Sequence, residues 1–362
     1  MADLSNLQSQ LDSINACYSG GVTITYDCKP SPEIPRILSQ TNDTAQVEHP
    51  EYCTKGILHN SSSIPEHEEM QYIRLVREIM DKGSIECGRN GNVRTLFGHS
   101  MRFSLRDGQW PILTTKKVAW KTCAKELFWF LSGSTDNSIL QEQGVRIWND
   151  NSTREYLDKQ GLTEYEENEL GPVYGYQWRH FGAPYINRGT SRENGVTDIG
   201  GVDQISEIIR ILRDPHERSS RRIILTAWNP LQITETALPP CHVLAQFHVR
   251  QGKYLSCAMY QRSGDVGLGV PFNIASYSLL THILAKHTGL IADEFVYFLG
   301  NVHIYEDHMD ALLEQVNNKP YPFPKIQIVD NAYARIEEYS LNDISFTTPY
   351  VSHSTIKMDM KA

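Results

Sequence analysis

The chain has no Cys-x-x-Cys pair, no apolar run long enough to cross a bilayer and no excess of basic charge. Each absence excludes a class. Seven cysteines, at positions 17, 28, 53, 87, 123, 241 and 257, are odd in number and unpaired in spacing, so neither a disulfide framework nor a zinc site is expected. Residues 1–20 lack both the basic start and the apolar core of a signal peptide, and a cytoplasmic location is expected. A formal charge of -9 argues against broad nucleic-acid binding while leaving room for local basic pockets that take small anions. No repeat or low-complexity tract interrupts residues 65–362, which read as one domain. What is present is ordinary for a globular protein: 362 residues, 40% hydrophobic and 21% charged, enough for a sizeable core.

Residues 1–64 differ from the rest. They are rich in Ser, Asn, Gln, Thr and Pro, and carry seven acids against three bases, a net of -4. Without sustained apolar periodicity, and with prolines at 30, 32, 35 and 50, they read as a disordered extension. A helix is expected from Ser63, with Glu66 closing a capping box and Met70, Ile73, Val76 and Met80 on its buried face. Further along, the pattern predicts a strand at 100–105, an apolar helix at 120–131 and a helix at 205–212. A β-rich run at 223–228, a long helix at 271–287 and strands at 295–299 and 325–329 follow.

The chemistry concentrates between Ala237 and Phe272. The turn Leu238-Pro239-Pro240 delivers Cys241 to an extended run, which returns to the polar cluster Gln261-Arg262-Ser263-Gly264-Asp265. A thiolate is a strong nucleophile and a neighbouring cation favours it, so Cys241 beside Arg262 is a reactive pair. His242 is a poorer activator, because neighbours on a strand point to opposite faces. Cys87, Cys123 and Cys257 read as inert core thiols. Gln261, Arg262 and Ser263 suit a phosphate monoester, although a lone Gln-Arg-Ser is equally a surface turn. Asn273 presents a donor and an acceptor that suit the amide edge of a ring, or else caps its helix. His303 and Tyr305, alternating on one face, suit a sugar hydroxyl. Trp148, Asp265, Gly269 and Phe272 suit a flat aromatic ligand.

These segments, with Leu170-Gly171-Pro172-Val173-Tyr174-Gly175 and Asn273-Ile274-Ala275-Ser276-Tyr277, resemble the thymidylate synthases from about Glu66 to the C-terminus. The resemblance implies an α+β fold built on a large, mostly antiparallel twisted sheet with packed helices, dimerising through the sheet face. It implies reductive methylation of dUMP to dTMP, with methylene-tetrahydrofolate as co-substrate, dihydrofolate as product and no metal. Cys241 becomes the nucleophile, and Glu126, with Tyr174, the proton carrier. Arg262, Arg221 and Arg222 become phosphate ligands, the last two across the dimer interface. Arg89 is a weaker member of that set: Arg-Asn-Gly-Asn stands there in place of the family's Arg-Thr-Gly-Thr, and Arg94 is the alternative. The final residues, ending at Ala362, resemble a tail that closes over the folate. Two rivals carry over: a pyrimidine-nucleotide hydroxymethylase of the same fold, which leaves the folate reduced, and an inactive scaffold or RNA-binding regulator.

Overall fold

The computed structural model describes residues 66–88, 90–190, 200–329 and 333–361. The extension expected over residues 1–64 lies outside the described residues, as do Arg89 and Ala362. In chain order the first elements are α1 (Met70–Lys82), β1 (Ser84–Gly88), β2 (Gly91–Ser104), α2 (Trp120–Leu131), α3 (Asn137–Glu142) and α4 (Arg154–Lys159). Then come α5 (Tyr174–His180), α6 (Gln204–Arg213), β3 (Ile224–Thr226), β4 (His242–Arg250), β5 (Tyr254–Asp265) and α7 (Gly269–Thr288). The chain closes with β6 (Ile291–Tyr305), α8 (Met309–Gln315), β7 (Lys325–Ile328) and β8 (Ile344–Thr348).

Six strands form one sheet in the order β1-β2-β6-β5-β4-β3, and β7 pairs with β8 in a small second sheet. The α+β expectation holds, with a mixed sheet: β5 and β6 run parallel, while β1/β2, β2/β6, β3/β4 and β4/β5 are antiparallel. The parallel pair has a physical cause. Parallel neighbours need a long crossover, and α7 provides it between β5 and β6. That helix has little amphipathicity because it is buried on nearly every side. It stops at Gly289, whose left-handed φ of 71° caps the C-terminus. Pro271 sits in its first turn, where a missing N–H costs nothing. Helices α2 and α6 pack on α7, which itself packs on β5 and β6, and α1 packs on β2 and β6. The core lies between these helices and one face of the sheet.

The opposite face is less covered. β4 alternates buried and exposed residues, as a strand with one buried side should. In register across β4, β5 and β6 stand Leu244, Tyr260 and Phe298, each more than a third exposed.

Two expectations change. Helix α1 begins at Met70, not Ser63, and Ser63 itself lies outside the described residues. Glu66 pairs with Arg74. The residue at the helix start is Glu69, which makes no cap. Its buried carboxylate accepts the N–H and hydroxyl of both Thr114 and Thr115 at 2.6–3.0 Å. Cys87 is also not a core residue: β1 is an edge strand exposed along its length, and so is this thiol.

Candidate active site

The Pro239-Pro240 turn is held by the arginine that follows it in space. Arg262 donates from Nε to the Pro240 carbonyl and from Nη2 to that of Pro239, both at 2.8 Å, and its backbone N–H reaches the Cys241 carbonyl at 2.9 Å. Its guanidinium lies 5.5 Å from the Trp228 ring centroid. From the other side, the Cys241 N–H donates to the Tyr174 hydroxyl at 2.7 Å, and the His242 N–H does so at 3.3 Å. Cys241 is thus pinned at both its carbonyl and its N–H, with a permanent cation beside the loop that carries it.

Tyr174 opens α5, and α5 lies unusually close to α2. A Cβ on Gly175 would stand 2.9 Å from the Ser134 carbonyl oxygen and 3.1 Å from that of Phe130, so only glycine fits this crossing. The approach places the Tyr174 ring 4.8 Å from that of Phe130. On the same helix α2, Glu126 accepts a 2.8 Å hydrogen bond from the Trp148 indole. Burial raises its pKa to about 7, against the opposing effect of that bond. A carboxyl so poised exchanges protons at neutral pH.

His242 and Cys241 both face the same cavity, contrary to the expected opposition. Strand alternation does not govern them: Cys241 precedes the first residue of β4, and a register shift separates His242 from Leu244. The imidazole is still unsuited to act as base. Burial lowers its pKa to about 4, and its ring packs between Tyr174 and Tyr277. Cys257 has its pKa pushed up to about 12 by burial, and burial raises that of Cys123 further, so both thiols are inert.

The other side chains come from the C-terminal ends of the parallel pair, where Ser263 stands opposite Asn301 and Asp265 opposite His303. Alternation puts Gln261, Ser263 and Asp265 on the same side as Asn301, His303 and Tyr305. Asn273, in the second turn of α7, is 9% exposed and does not cap the helix. The buried Tyr297 hydroxyl donates to Gln261 Oε1 and lies 3.4 Å from Asn273 Oδ1, so it orients both amides.

Tyr297 lies behind one cavity of about 760 Å3, on which the thiol, the carboxyl and both amides open. The cavity takes in Glu126, Trp148, Tyr174, Cys241, Gln261 to Ser263, Asp265, Gly269, Phe272, Asn273, His303 and Tyr305. Arg221 and Arg222 are exposed ahead of β3 and do not line it, and neither does Arg94. Cys87 and Asn151 line it without having been anticipated, and Met360 and Lys361 of the expected closing tail line it too. Among the described residues no cluster of His, Cys, Asp and Glu could hold a metal ion. The sequence reading also missed Tyr297, which resembles any core tyrosine. The one available signal was parity, since it lies on the same face as His303 and Tyr305.

The thymidylate synthase family model matches residues 70–362. A thymidylate synthase of Human herpesvirus 8 is 48% identical over 296 residues, covering 81% of this chain and 84% of the relative. Thymidylate synthase 1/2 of Encephalitozoon cuniculi is 47% identical over 299 residues, covering 82% and 99%. A bifunctional dihydrofolate reductase-thymidylate synthase of Leishmania major is 48% identical over 297 residues, covering 81% of this chain and 55% of that longer protein. With its thiol, half-buried carboxyl and paired amides gathered in one cavity, the chain belongs to the thymidylate synthase family and is a methyltransferase of that family.

Proposed function

We propose that the chain converts dUMP to dTMP, taking carbon and hydride from methylene-tetrahydrofolate and releasing dihydrofolate. The observation that carries this reading is the shared cavity: Cys241 and Glu126 face the same space as Asn273 and Asp265. Its volume suits a nucleotide and a pterin side by side.

Cys241 adds as thiolate to carbon 6 of the uracil ring, which makes carbon 5 nucleophilic. Arg262 favours the thiolate and supplies positive charge for the phosphate, with Gln261 and Ser263 offering further hydrogen bonds. Asn273, oriented by Tyr297, reads the base, while His303 and Tyr305 hold the sugar. Glu126 carries the proton to and from the reacting groups, with Tyr174 fixing the cysteine that must attack and later leave. Trp148 and Phe272 form walls for the folate ring, Asp265 accepts from its ring nitrogens and Gly269 leaves room for it. The folate supplies a one-carbon unit and a hydride, so no metal is required. Arg89 joins the phosphate ligands in this reading, because its neighbours Gly88 and Asn90 line the cavity. Ala362 ends the closing tail.

Residues 65–362 form the catalytic domain, acting in the cytoplasm with residues 1–64 as an accessory extension. Two chains pair through the sheet face that carries Leu244, Tyr260 and Phe298, an exposed apolar row with no other evident use. Arg221 and Arg222, exposed and away from their own cavity, serve the partner's phosphate. Incubation with dUMP and methylene-tetrahydrofolate tests the reaction. Dihydrofolate should appear in step with dTMP; a hydroxymethylated product with the folate still reduced would sink the assignment.

A further inference from the structure

The last described residues are fastened to the cavity at three points. His308, with no exposed surface, sits just after β6 with Nε2 2.8 Å from the Asp359 carbonyl oxygen and Nδ1 3.8 Å from Asp265 Oδ1. Lys361 pairs with Asp307 and lies 5.9 Å from the Tyr305 ring centroid. Lys116, buried, donates to the Gly267 carbonyl with its Nζ 4.0 Å from the Met358 sulfur. The first and third of these meet at Gly267. A Cβ there would stand 2.7 Å from His308 Nδ1, 3.0 Å from Met358 Sδ and 3.2 Å from Asp265 Oδ1, so this glycine serves close packing.

We propose that His308 is a positioning residue whose imidazolium clasps the tail to the cavity wall by bridging the Asp265 carboxylate and the Asp359 carbonyl, with Lys361–Asp307 as a second fastening. The inference deepens the proposed function, since Asp265 is the group assigned there to the folate. The chemistry of the ring decides the charge. Nε2 is within hydrogen-bond reach of a carbonyl, while Nδ1, which has no hydrogen-bond partner, stands at ion-pairing distance from a carboxylate, so the protonated ring gains from both neighbours. Asp265 faces it from β5, Asp307 from its own turn, and His303 and Tyr305 from β6. Lys116 approaches from the segment before α2 and Lys361 from the tail. Burial opposes the charge, yet Asp265, the Asp359 carbonyl and Asp307 together raise the His308 pKa. With a raised folded pKa, the clasp is complete below the ordinary histidine value of 6.5 and is lost as pH rises through the folded value.

Hydrogen exchange of the backbone amides of residues 356–361, in the ligand-free protein and corrected for intrinsic rates, reads the clasp directly. Wild-type protection should be higher at pH 6 and fall several-fold by pH 8.5, as the imidazolium loses its proton. His308→Asn should lower protection at pH 6 and abolish the pH dependence. Lys361→Ala should lower it at both pH values and keep the dependence, and Gly267→Ala should loosen the tail at either pH. In turnover, His308→Asn should raise KM for the folate several-fold and leave KM for dUMP unchanged, a split that general destabilisation would not produce. Flat wild-type protection, or a wild-type profile in His308→Asn, overturns the proposal. Should His308→Asn not fold, the wild-type profile together with Lys361→Ala decides. Absence of dTMP formation would remove the assigned reaction instead, leaving the exchange result to stand separately.

Discussion

At the scale of single residues, the site is built by removing freedom. Cys241 has its backbone fixed by Tyr174 and Arg262, so reactivity depends on one sulfur atom and little else. Cys241→Ala should reduce turnover at least a thousandfold, on the order lost when a nucleophile is deleted. Binding of dUMP, measured by calorimetry, should stay within a few-fold, and Cys257→Ala should change neither. Glu126 gives a pH signature. Its folded carboxyl keeps a proton up to about 7, whereas in the unfolded chain it ionises near 4.5. Folding is therefore penalised increasingly as pH rises from 4.5 through 7. Glu126→Gln should gain stability at pH 8 relative to pH 4, by up to about 3 kcal/mol and less to the extent that cavity water reaches the carboxyl. Urea melts at the two pH values check this, and the same variant should lose the inflection near pH 7 in kcat. Asn273→Asp should narrow the preference for dUMP over dCMP by one to two powers of ten, the effect of a buried mismatch of ~1–3 kcal/mol. Competition binding measures it, and unchanged selectivity would move base recognition elsewhere.

Between elements, the contact that matters is the crossing of α2 and α5, because it sets Glu126 against Tyr174 and through Tyr174 against Cys241. Gly175→Ala should cost about 1–3 kcal/mol in urea denaturation, the typical penalty of overpacking, and should depress kcat disproportionately. A stable variant with full activity would show that the crossing has slack. This scale also marks where sequence reading worked. The helix at 120–131 was legible from its strongly apolar run, which Ser132-Gly133 ends. The long helix was legible within two residues, from its proline and its terminal glycine. Strand β2 was read only over its last residues, since its Gly- and Asn-rich beginning looks like a turn. The parallel pairing of β5 with β6 could not be read at all, because strand partners are chosen by contacts remote in sequence. For the same reason the thiol, carboxyl and amides were nameable one by one through their motifs, while Tyr297, His308 and Lys116 were not: their importance lies in what they touch.

For the whole molecule, the outer sheet face and the stranded arginines make a joint prediction. Phe298→Glu should shift the protein towards monomer in sedimentation, since a charge would be buried beside Leu244 and Tyr260 in the proposed dimer interface. Cys241→Ala and Arg222→Glu should each be nearly inactive alone. Unfolded and refolded together, they should regain about a quarter of wild-type activity, because random pairing gives half mixed dimers with one sound site in two. No recovery, with wild type refolding fully in parallel, would end the claim that the arginines act in trans. The parallel strand pair has a last consequence. Ser263 with Asn301, and Asp265 with His303, are held side by side at the fixed interval of neighbouring strands, about 4.8 Å. The two strand ends therefore act as a gauge, graduated by the backbone, against which a bound molecule is measured. A ligand that is too long or too short cannot be accommodated by bending the gauge. Discrimination along this axis should change in steps, as residues are exchanged on the two strands, and never by gradual adjustment.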